Sequence, residues 1–436
     1  MGFALARVTF CRTVPQGAKL TSTDSVRLQW RGHYGTLSGY GMAGYDHLMA
    51  LHRAGVALDI RLTDDADLTK VPERFRELSQ FVNSRPDHWP SHVVAHSVPS
   101  GAIQHASQLM SNDAKRILLT TWETSKLPPT LAGEATADVF KLYDKVIVPS
   151  AWNWVAFVNA GIHHTQILPH TFDPKWWFID KQIRHPDFSF SFDPELSEEQ
   201  FQARVAAQYT DAPYTYYWIG SWADERKNAL GVLKAYLTTF NSKDRVLLKM
   251  VVSSLNQEDV DALVRSLGLY DLPAVEFLGY NPRLTDEQMR DLHVNADCYV
   301  TLSRGEGWGL GAFEAALTGN SVIAPAHGSF PDFLVPYAEA FFVCCHETPA
   351  ACPPVKTATK IQIGQLTFRP IVTNNSQGVQ GDQLWAEPSI DHCRQMLRLT
   401  YESCFPINRT ESHQVLTDLF SYDTIGHRFK RILENV

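Results

Sequence analysis

A strand, a glycine-rich turn and a helix are predicted in direct succession between Asp297 and Asn320. Residues 298–302 are mostly β-branched, aromatic or aliphatic, as in a buried strand, and residues 312–317 favour a helix. Glycines at 305, 307, 309 and 311 separate the two and indicate an open turn. Such a turn directs free backbone N–H groups and the positive end of the helix dipole to one point, so a phosphate site is predicted there.

Two carboxylates flank this turn, Glu306 within it and Glu314 inside the predicted helix. Carboxylates repel phosphate but accept hydrogen bonds from hydroxyl groups. A phosphate site beside two such acceptors fits a ligand that carries both phosphates and sugars. The pattern therefore favours a nucleotide sugar.

The rest of the chain alternates strand-like and helix-like segments in two series, which is typical of parallel α/β sheets. In the first series, strands are predicted at 25–30, 57–62, 92–96, 116–121 and 145–149, with a helix at 45–54. The second series has strands at 214–220, 246–252, 274–278, 298–302 and 321–324, and a helix at 423–434 closes the chain. Residues 346–386 are predicted to be irregular. We expect domains at 1–172 and 213–412, a linker with an insertion at 173–212, and a terminal segment at 413–436.

Each half carries a glycine fingerprint between a predicted strand and a predicted helix. Gly39, Gly41 and Gly44 form G-x-G-x-x-G, and residues 307–312 form G-x-G-x-x-A. Either alone is also explained by ordinary turn residues, but two in corresponding positions predict paired Rossmann-like domains that face each other across a cleft. An NAD(P)-dependent oxidoreductase is the alternative, with Asp59 or Asp332 on the ribose. That alternative gives Glu306 no role.

A third element follows the first strand of the second half, where ligands bind in open α/β sheets. It contains Ser221, Arg226 and Lys227, and its two cations would neutralise a diphosphate. From charge alone, a solvated helix start explains the same run.

Composition excludes several classes. The 436 residues are enough for two domains, and a net charge of −8 without a dense basic block argues against non-specific nucleic-acid binding. No apolar run is long enough for a transmembrane helix, and a cytoplasmic protein is expected. Seven scattered cysteines predict reduced thiols. No metal is expected: the group of Cys344, Cys345, His346 and Cys352 matches no zinc spacing, and Asp65-x-Asp67 is interpreted as a solvated loop.

These motifs together resemble glycosyltransferase family 4, whose members are retaining enzymes of GT-B architecture. The resemblance rests on Glu306-x7-Glu314, on the segments at 220–228 and 144–150, and on the glycine motif at 39–41. It covers the chain from about residue 30 onward, apart from 174–210 and 346–380. It implies two Rossmann-like domains, with the terminal helix returning to the N-terminal one.

The resemblance also implies roles for individual residues. Glu314 would hold the ribose hydroxyls, Glu306 would lie beside the donor sugar, and Lys227 would bind the diphosphate with Arg226 next to it. Gly41 would lie in a loop that closes over the phosphates. The donor is further implied to contact the backbone of Gly307, Trp308, Gly309 and Leu310, with the base near Tyr280 and Asn281.

Two departures from the family pattern matter. Ser221 stands where many members carry an arginine, which leaves a catalytically silent partner subunit as an alternative. Glu123 stands where many members place a histidine near the reacting carbon, and a helix cap near Thr124 is its alternative reading. His96 and His170 are further candidates at the cleft edge.

The implied reaction moves a hexose or pentose from a nucleoside diphosphate sugar to an acceptor hydroxyl, such as that of a glycan, with retention at the anomeric carbon. Glu123, Lys227 and Glu306 are the expected catalytic residues. Cations and the helix N-terminus would stabilise the negative charge on the leaving diphosphate. A phosphate oxygen would take the proton of the acceptor hydroxyl. No cofactor is expected.

Overall fold

The computed structural model of the chain describes residues 26–62, 66–102, 113–131, 134–178, 212–253, 255–279, 284–337, 339–349, 361–363, 366–368, 383–402 and 409–436. No helix in these ranges is both long enough and apolar enough to cross a bilayer.

The N-terminal domain contains a six-stranded parallel sheet. Its strands are β1 (Arg27–Gly32), β2 (Ala57–Arg61), β3 (His92–His96), β4 (Lys115–Leu119), β7 (Lys145–Val148) and β8 (Thr165–Ile167), and a short hairpin, β5 (Thr130–Leu131) and β6 (Glu134–Ala135), precedes β7. The spatial order is β2-β1-β3-β4-β7-β8, so the chain reverses direction across the sheet between β1 and β3. Ligands bind in open α/β sheets at such a point.

Helices cover both faces of this sheet, so the apolar residues of its strands are buried on either side, although β1 also carries Arg27, Gln29 and Arg31. The helices are α1 (Gly39–Arg53), α2 (Thr136–Phe140) and α3 (Ala151–Asn159), together with 3-10 helices at Leu68–Lys70, Glu73–Phe81 and Pro99–Gly101. Leu28, Val94 and Ile117 are fully buried in the strands.

The C-terminal domain contains a second six-stranded parallel sheet. Its strands are β9 (Tyr214–Ser221), β10 (Val246–Ser253), β11 (Ala274–Gly279), β12 (Cys298–Val300), β13 (Ser321–Pro325) and β14 (Ala340–Val343). The order β11-β10-β9-β12-β13-β14 is the doubly wound order, and its reversal lies between β9 and β12.

The helices that precede and surround the second sheet are α4 (Pro174–Trp177), α5 (Ala229–Leu237), α6 (Gln257–Leu267), α7 (Asp286–Val294), α8 (Leu310–Leu317), α9 (Phe330–Leu334), α10 (Ile390–Glu402) and α11 (Arg409–Phe420), with a 3-10 turn at Glu225–Lys227. Trp177 of α4 is buried with the core around α8. The described part of the predicted linker thus packs on the C-terminal domain.

The last helix, α12 (Tyr422–Glu434), packs on the N-terminal domain, as the resemblance implied. Ile425, Phe429 and Leu433 repeat at helical spacing and are buried in the same core as β1 and α1. Gly426 allows this contact, because a Cβ there would lie 2.2 Å from the carbonyl oxygen of Ala50 in α1. The sequence boundaries of the domains stay predictions.

Two sequence predictions are wrong. Helix α1 begins at Gly39 and not at 45, because the Ser38 hydroxyl accepts the N–H of Gly41 at 3.0 Å and starts the helix there. Residues 39–44 therefore form helix and not an open loop. The region 346–386 is not wholly irregular: it contains β15 (Cys345–Pro349), β16 (Ile361–Ile363), β17 (Leu366–Phe368) and β18 (Leu384–Pro388), paired as two antiparallel ribbons.

Candidate functional site

A cavity of about 730 Å³ lies between the two domains. It opens at the carboxyl edges of both sheets, where β9 ends with Gly220 and Ser221 and where Thr301 follows β12. His96 at the end of β3 lines the opposite side. The reversal points of the two sheets therefore face one ligand-sized space.

The predicted strand, glycine turn and helix are present at this place. Residues 301–309 connect β12 to α8, and Gly309 begins α8 with a φ of +95°, which favours glycine. The N-terminus of α8 faces the cavity through Gly309 and Leu310. The positive end of the helix dipole is thus directed into the cavity, and the phosphate site there stays a prediction.

Two turn glycines are also required by close contact between the domains. A Cβ on Gly305 would lie 2.0 Å from the carbonyl oxygen of Glu123, and one on Gly307 would lie 1.7 Å from Thr121 Oγ1. Asn153 strengthens this contact, since its Nδ2 donates to the Gly307 carbonyl at 3.0 Å and its Oδ1 accepts from Thr121 Oγ1 at 3.2 Å. The sequence predicts an open, ligand-binding turn at these glycines but not their contact with the N-terminal domain.

A buried ion cluster crosses the cavity and is centred on Arg226. Its side chain is 7% exposed, and its guanidinium lies 3.1 Å from Glu123, 2.9 Å from Asp224 and 3.4 Å from Glu306. It also donates to the Gly305 carbonyl at 2.7 Å. Glu123 belongs to the N-terminal domain, so Arg226 links the two domains.

Lys227 is the more accessible cation. Its Nζ lies 2.5 Å from Glu306 Oε1, and its side chain is 26% exposed. Burial raises the pKa of Glu306, but Lys227 and Arg226 outweigh that effect and hold the pKa below its usual value. Burial raises the pKa of Glu123, and the attraction of Arg226 opposes this only in part. The two glutamates are thus tuned in opposite directions.

Glu314 projects from α8 into the same cavity, and the buried His293 contacts its carboxylate. His293 Nε2 lies 3.3 Å from its Oε2, and His293 Nδ1 lies 2.6 Å from the Tyr217 hydroxyl. Asn320 donates to that hydroxyl at 2.8 Å. The carboxylate is therefore fixed by a buried polar network, while 17% of its side chain stays exposed.

The N-terminal side of the cavity carries histidines, of which His47 and His96 are buried and His170 is half-buried. His47 lies on α1, His96 ends β3, and His170 follows β8. Burial lowers the pKa of all three, that of His170 to about 3. They are uncharged imidazoles at neutral pH.

The structure brings most of the predicted site residues to this cavity: Glu123, Arg226, Lys227, Glu306, Gly307, Trp308, Gly309, Leu310 and Glu314. Gly39 and Tyr40 line the cavity, but Gly41 does not, and its N–H donates to the Ser38 hydroxyl. Tyr280 and Asn281 lie outside the described residues. No helix begins at Thr124, so the capping interpretation of Glu123 is wrong.

Asp224, His293 and Asn153 are site residues that the sequence prediction missed. Asp224 was detectable, because it directly precedes the charged run after the first strand of the second domain. His293 and Asn153 act on residues distant in sequence and give no local signal.

Other predicted features lie elsewhere. Asp67 accepts the N–H of Thr69 at 3.0 Å and pairs with Lys70, so it caps the first 3-10 helix. Asp59 is buried and bonded to Gln29 and Arg61, and Asp332 accepts the N–H of Ala151. Within the described ranges, no three His, Cys, Asp or Glu side chains converge as ligands of a metal ion.

Solved structures share this fold. HepE of Anabaena, in complex with UDP and glucose, has a TM-score of 0.55 and 14% identity over 94% of this chain and 100% of its own. Sucrose-phosphate synthase of Thermosynechococcus elongatus gives 0.55 and 14% over 94% and 98%. WaaG, a glycosyltransferase involved in lipopolysaccharide biosynthesis, gives 0.51 and 11% over 94% and 100%. At these identities the similarity shows the GT-B fold. No protein-family model and no curated protein matches the chain.

Proposed function

We propose that the protein is a retaining glycosyltransferase that moves a sugar from a nucleoside diphosphate sugar to an acceptor hydroxyl. The observation that carries the proposal is the ion pair of Lys227 and Glu306, which lies in the cavity between the domains beside the N-terminus of α8. This pair supports the proposal, because a lysine is a cation that suits a diphosphate and a neighbouring carboxylate accepts hydrogen bonds from sugar hydroxyls.

The proposed donor occupies the C-terminal side of the cavity. Lys227 and the N–H groups at the start of α8 bind the diphosphate, and Glu314, fixed by His293, accepts hydrogen bonds from the ribose. Glu306 exchanges its contact with Lys227 for hydroxyl groups of the sugar. As the bond to the diphosphate lengthens, Lys227 and the helix dipole stabilise the negative charge on the leaving group.

Arg226 acts differently from the sequence expectation. Its guanidinium is occupied by three carboxylates and a carbonyl, so we assign it to holding Glu123 and Glu306 in place and not to direct binding of the diphosphate. In this assignment Lys227 is the cation that compensates for Ser221.

Retention follows from the proposed position of the acceptor. Glu123 pairs with Arg226 at 3.1 Å, so we do not assign it the role of a general base. A phosphate oxygen of the leaving group takes the acceptor's proton, and the acceptor enters on the face that the diphosphate leaves. No metal is required, because Lys227 and the helix N-terminus supply the positive charge.

The oxidoreductase alternative is less well supported. Asp59 and Asp332, its two candidate ribose acids, do not line the cavity among the described residues. The fingerprint at 39–44 lies in a helix. The acids that line the cavity beside the glycine turn are Glu306 and Glu314.

The test begins with thermal-shift measurements of UDP-, GDP- and ADP-sugars against NAD and NADP. We expect stabilisation by one class of nucleotide sugar, and stabilisation by the dinucleotides alone would refute a transferase. Transfer or donor hydrolysis is then measured with Lys227→Ala and Glu306→Gln, each expected to lower kcat by about 100-fold or more. Nuclear magnetic resonance of the first product formed gives its anomeric configuration.

Lys249 and Glu276 provide a matched control pair. They form a lysine–glutamate pair at 3.7 Å on β10 and β11, away from the cavity, and Lys249 is 28% exposed, close to Lys227. Lys249→Ala and Glu276→Gln should retain full activity. If the wild type is as silent as the Lys227→Ala and Glu306→Gln variants with every donor, the protein is not a catalyst.

A further inference from the structure

The two sides of the cavity differ sharply in charge. Its lining cations, Arg226 and Lys227, both come from the C-terminal domain. Among the described residues of the N-terminal domain, no lysine or arginine lines the cavity, and its one lining carboxylate, Glu123, is paired with Arg226. The described residues of the N-terminal side therefore offer no lysine or arginine charge to a ligand.

His33, His47, His96 and His170 line this side, and we call the last three the histidine wall. His47 is completely buried, and both of its ring nitrogens are without a hydrogen-bond partner in the described part of the chain. The Nδ1 atoms of His96 and His170 are likewise unpartnered there. Such groups are costly in a folded protein and are normally satisfied by protein, water or ligand.

The histidine wall continues to the donor side. The rings of His47 and His170 are 5.4 Å apart, and that of His170 is 5.5 Å from Trp308 in the glycine turn. A molecule that contacts these histidines thus also lies beside the proposed donor site.

The chemistry of the wall selects a type of ligand. Each uncharged imidazole offers one N–H donor and one nitrogen acceptor, which matches a hydroxyl group that both donates and accepts. A phosphate or carboxylate would instead be buried against groups that carry no compensating charge. Aromatic rings such as Tyr40, 5.2 Å from His96, offer faces on which a sugar ring packs.

We propose that the acceptor is an uncharged, hydroxyl-rich molecule, a glycoside without phosphate or carboxylate, which the histidine wall binds through its hydroxyl groups. This inference rests on the proposed transferase function and adds to it the substrate class of the acceptor.

The first test compares matched acceptors with the donor identified by thermal shift. Methyl glucoside and methyl galactoside are measured beside their 6-phosphates and the corresponding methyl uronides. We expect kcat/KM at least about tenfold higher for the neutral members, since a charged group must be desolvated without a partner. A preference for the anionic members, with donor turnover intact, overturns this inference alone. Absence of donor binding and turnover overturns the proposed function and this inference with it.

The second test separates binding from structural support. His47→Phe keeps a ring of similar size but removes both nitrogens, and His47→Gln keeps a donor and an acceptor. We expect His47→Phe to raise the acceptor KM about tenfold or more and to leave the donor affinity unchanged. The melting temperature should not fall, because an unpartnered polar group is replaced by an apolar one. His47→Gln should restore part of the acceptor affinity.

The same replacements at His163, which is exposed on the surface, serve as the control. They should leave both substrate affinities unchanged. Unaltered acceptor KM in His47→Phe would overturn the assignment of the histidine wall.

Discussion

Removing Arg226 should destabilise the protein in a way that depends strongly on pH. The substitution Arg226→Met keeps much of the length of the side chain but deletes the charge. It leaves Glu123, Asp224 and Glu306 facing one another around an apolar group, where the guanidinium now lies within 2.9–3.4 Å of each carboxylate.

The size of the effect follows from burial. Because the Arg226 side chain is only 7% exposed, its loss leaves the mostly buried Glu123 without its cation, while Glu306 keeps Lys227 and Asp224 is 26% exposed. Removing one partner of a buried ion pair costs about 3–5 kcal/mol. For the unfolding of a domain of ordinary size this corresponds to a melting temperature lower by about 6 °C or more.

The pH dependence gives the reasoning its sharpest test. Burial already raises the folded pKa of Glu123 above its unfolded value of 4.5, and removing the attraction of Arg226 raises it further. A group with a raised folded pKa stabilises the protein below its unfolded pKa and ceases to do so as pH rises through the folded value. The loss caused by Arg226→Met should therefore be largest near pH 8 and smaller near pH 5.

The assay is thermal unfolding, monitored by fluorescence, of wild type and variant at both pH values. Arg76→Met is the control, because Arg76 pairs with Glu73 on the surface with both side chains about two-thirds exposed, and it should cost less than about 1 kcal/mol. An equal loss at pH 5 and pH 8 would show that lost packing, and not charge, explains the effect. A loss no greater than that of Arg76→Met would refute the whole argument.

Three further predictions concern close contacts within and between the domains. Burial raises the pKa of Asp46 to about 7 despite the nearby Arg74. The wild type should therefore lose stability relative to Asp46→Asn as pH rises from about 4 to about 7. Thermal melts across that range test this, and parallel curves for the two proteins would contradict it. Gly307→Ala should lower the rate of sugar transfer by about tenfold or more, because the added Cβ meets Thr121 and forces the domains apart. The double variant with Thr121→Gly, which removes that side chain, should recover part of the activity in the same assay. Gly426→Ala should cost about 1–3 kcal/mol in urea unfolding because its Cβ meets α1, whereas Gly279→Ala, with open space around it, should be nearly neutral.

The C-terminal lining of the cavity was predictable because its signals are local. The glycine turn, Glu306 and Glu314 occupy one short segment, and strand, turn and helix each have a compositional signature. Arg226 and Lys227 were located for the same reason, since residues just after the first strand of an open sheet lie at its ligand edge.

The prediction was less successful where tertiary contacts determine the local structure or the partner of a side chain. The glycines at 39–44 suggested a loop, but the Ser38 cap and the close approach of α1 to its neighbours favour a helix there. The partner of Arg226 across the domains, Glu123, lies far away in sequence, so no pattern connects them. The three histidines of the wall come from separate elements, and their lack of partners is visible only once the fold is known.

The position of α12 has a consequence for how the protein is made. Ile425, Phe429 and Leu433 complete the core around β1 and α1, yet they are synthesised after both sheets. Domains usually fold in the order in which they leave the ribosome. Here the second sheet and its helices can be finished first, while the first domain must wait for the helix that covers α1. The half that is translated earliest therefore completes its core last, after α12 has been synthesised.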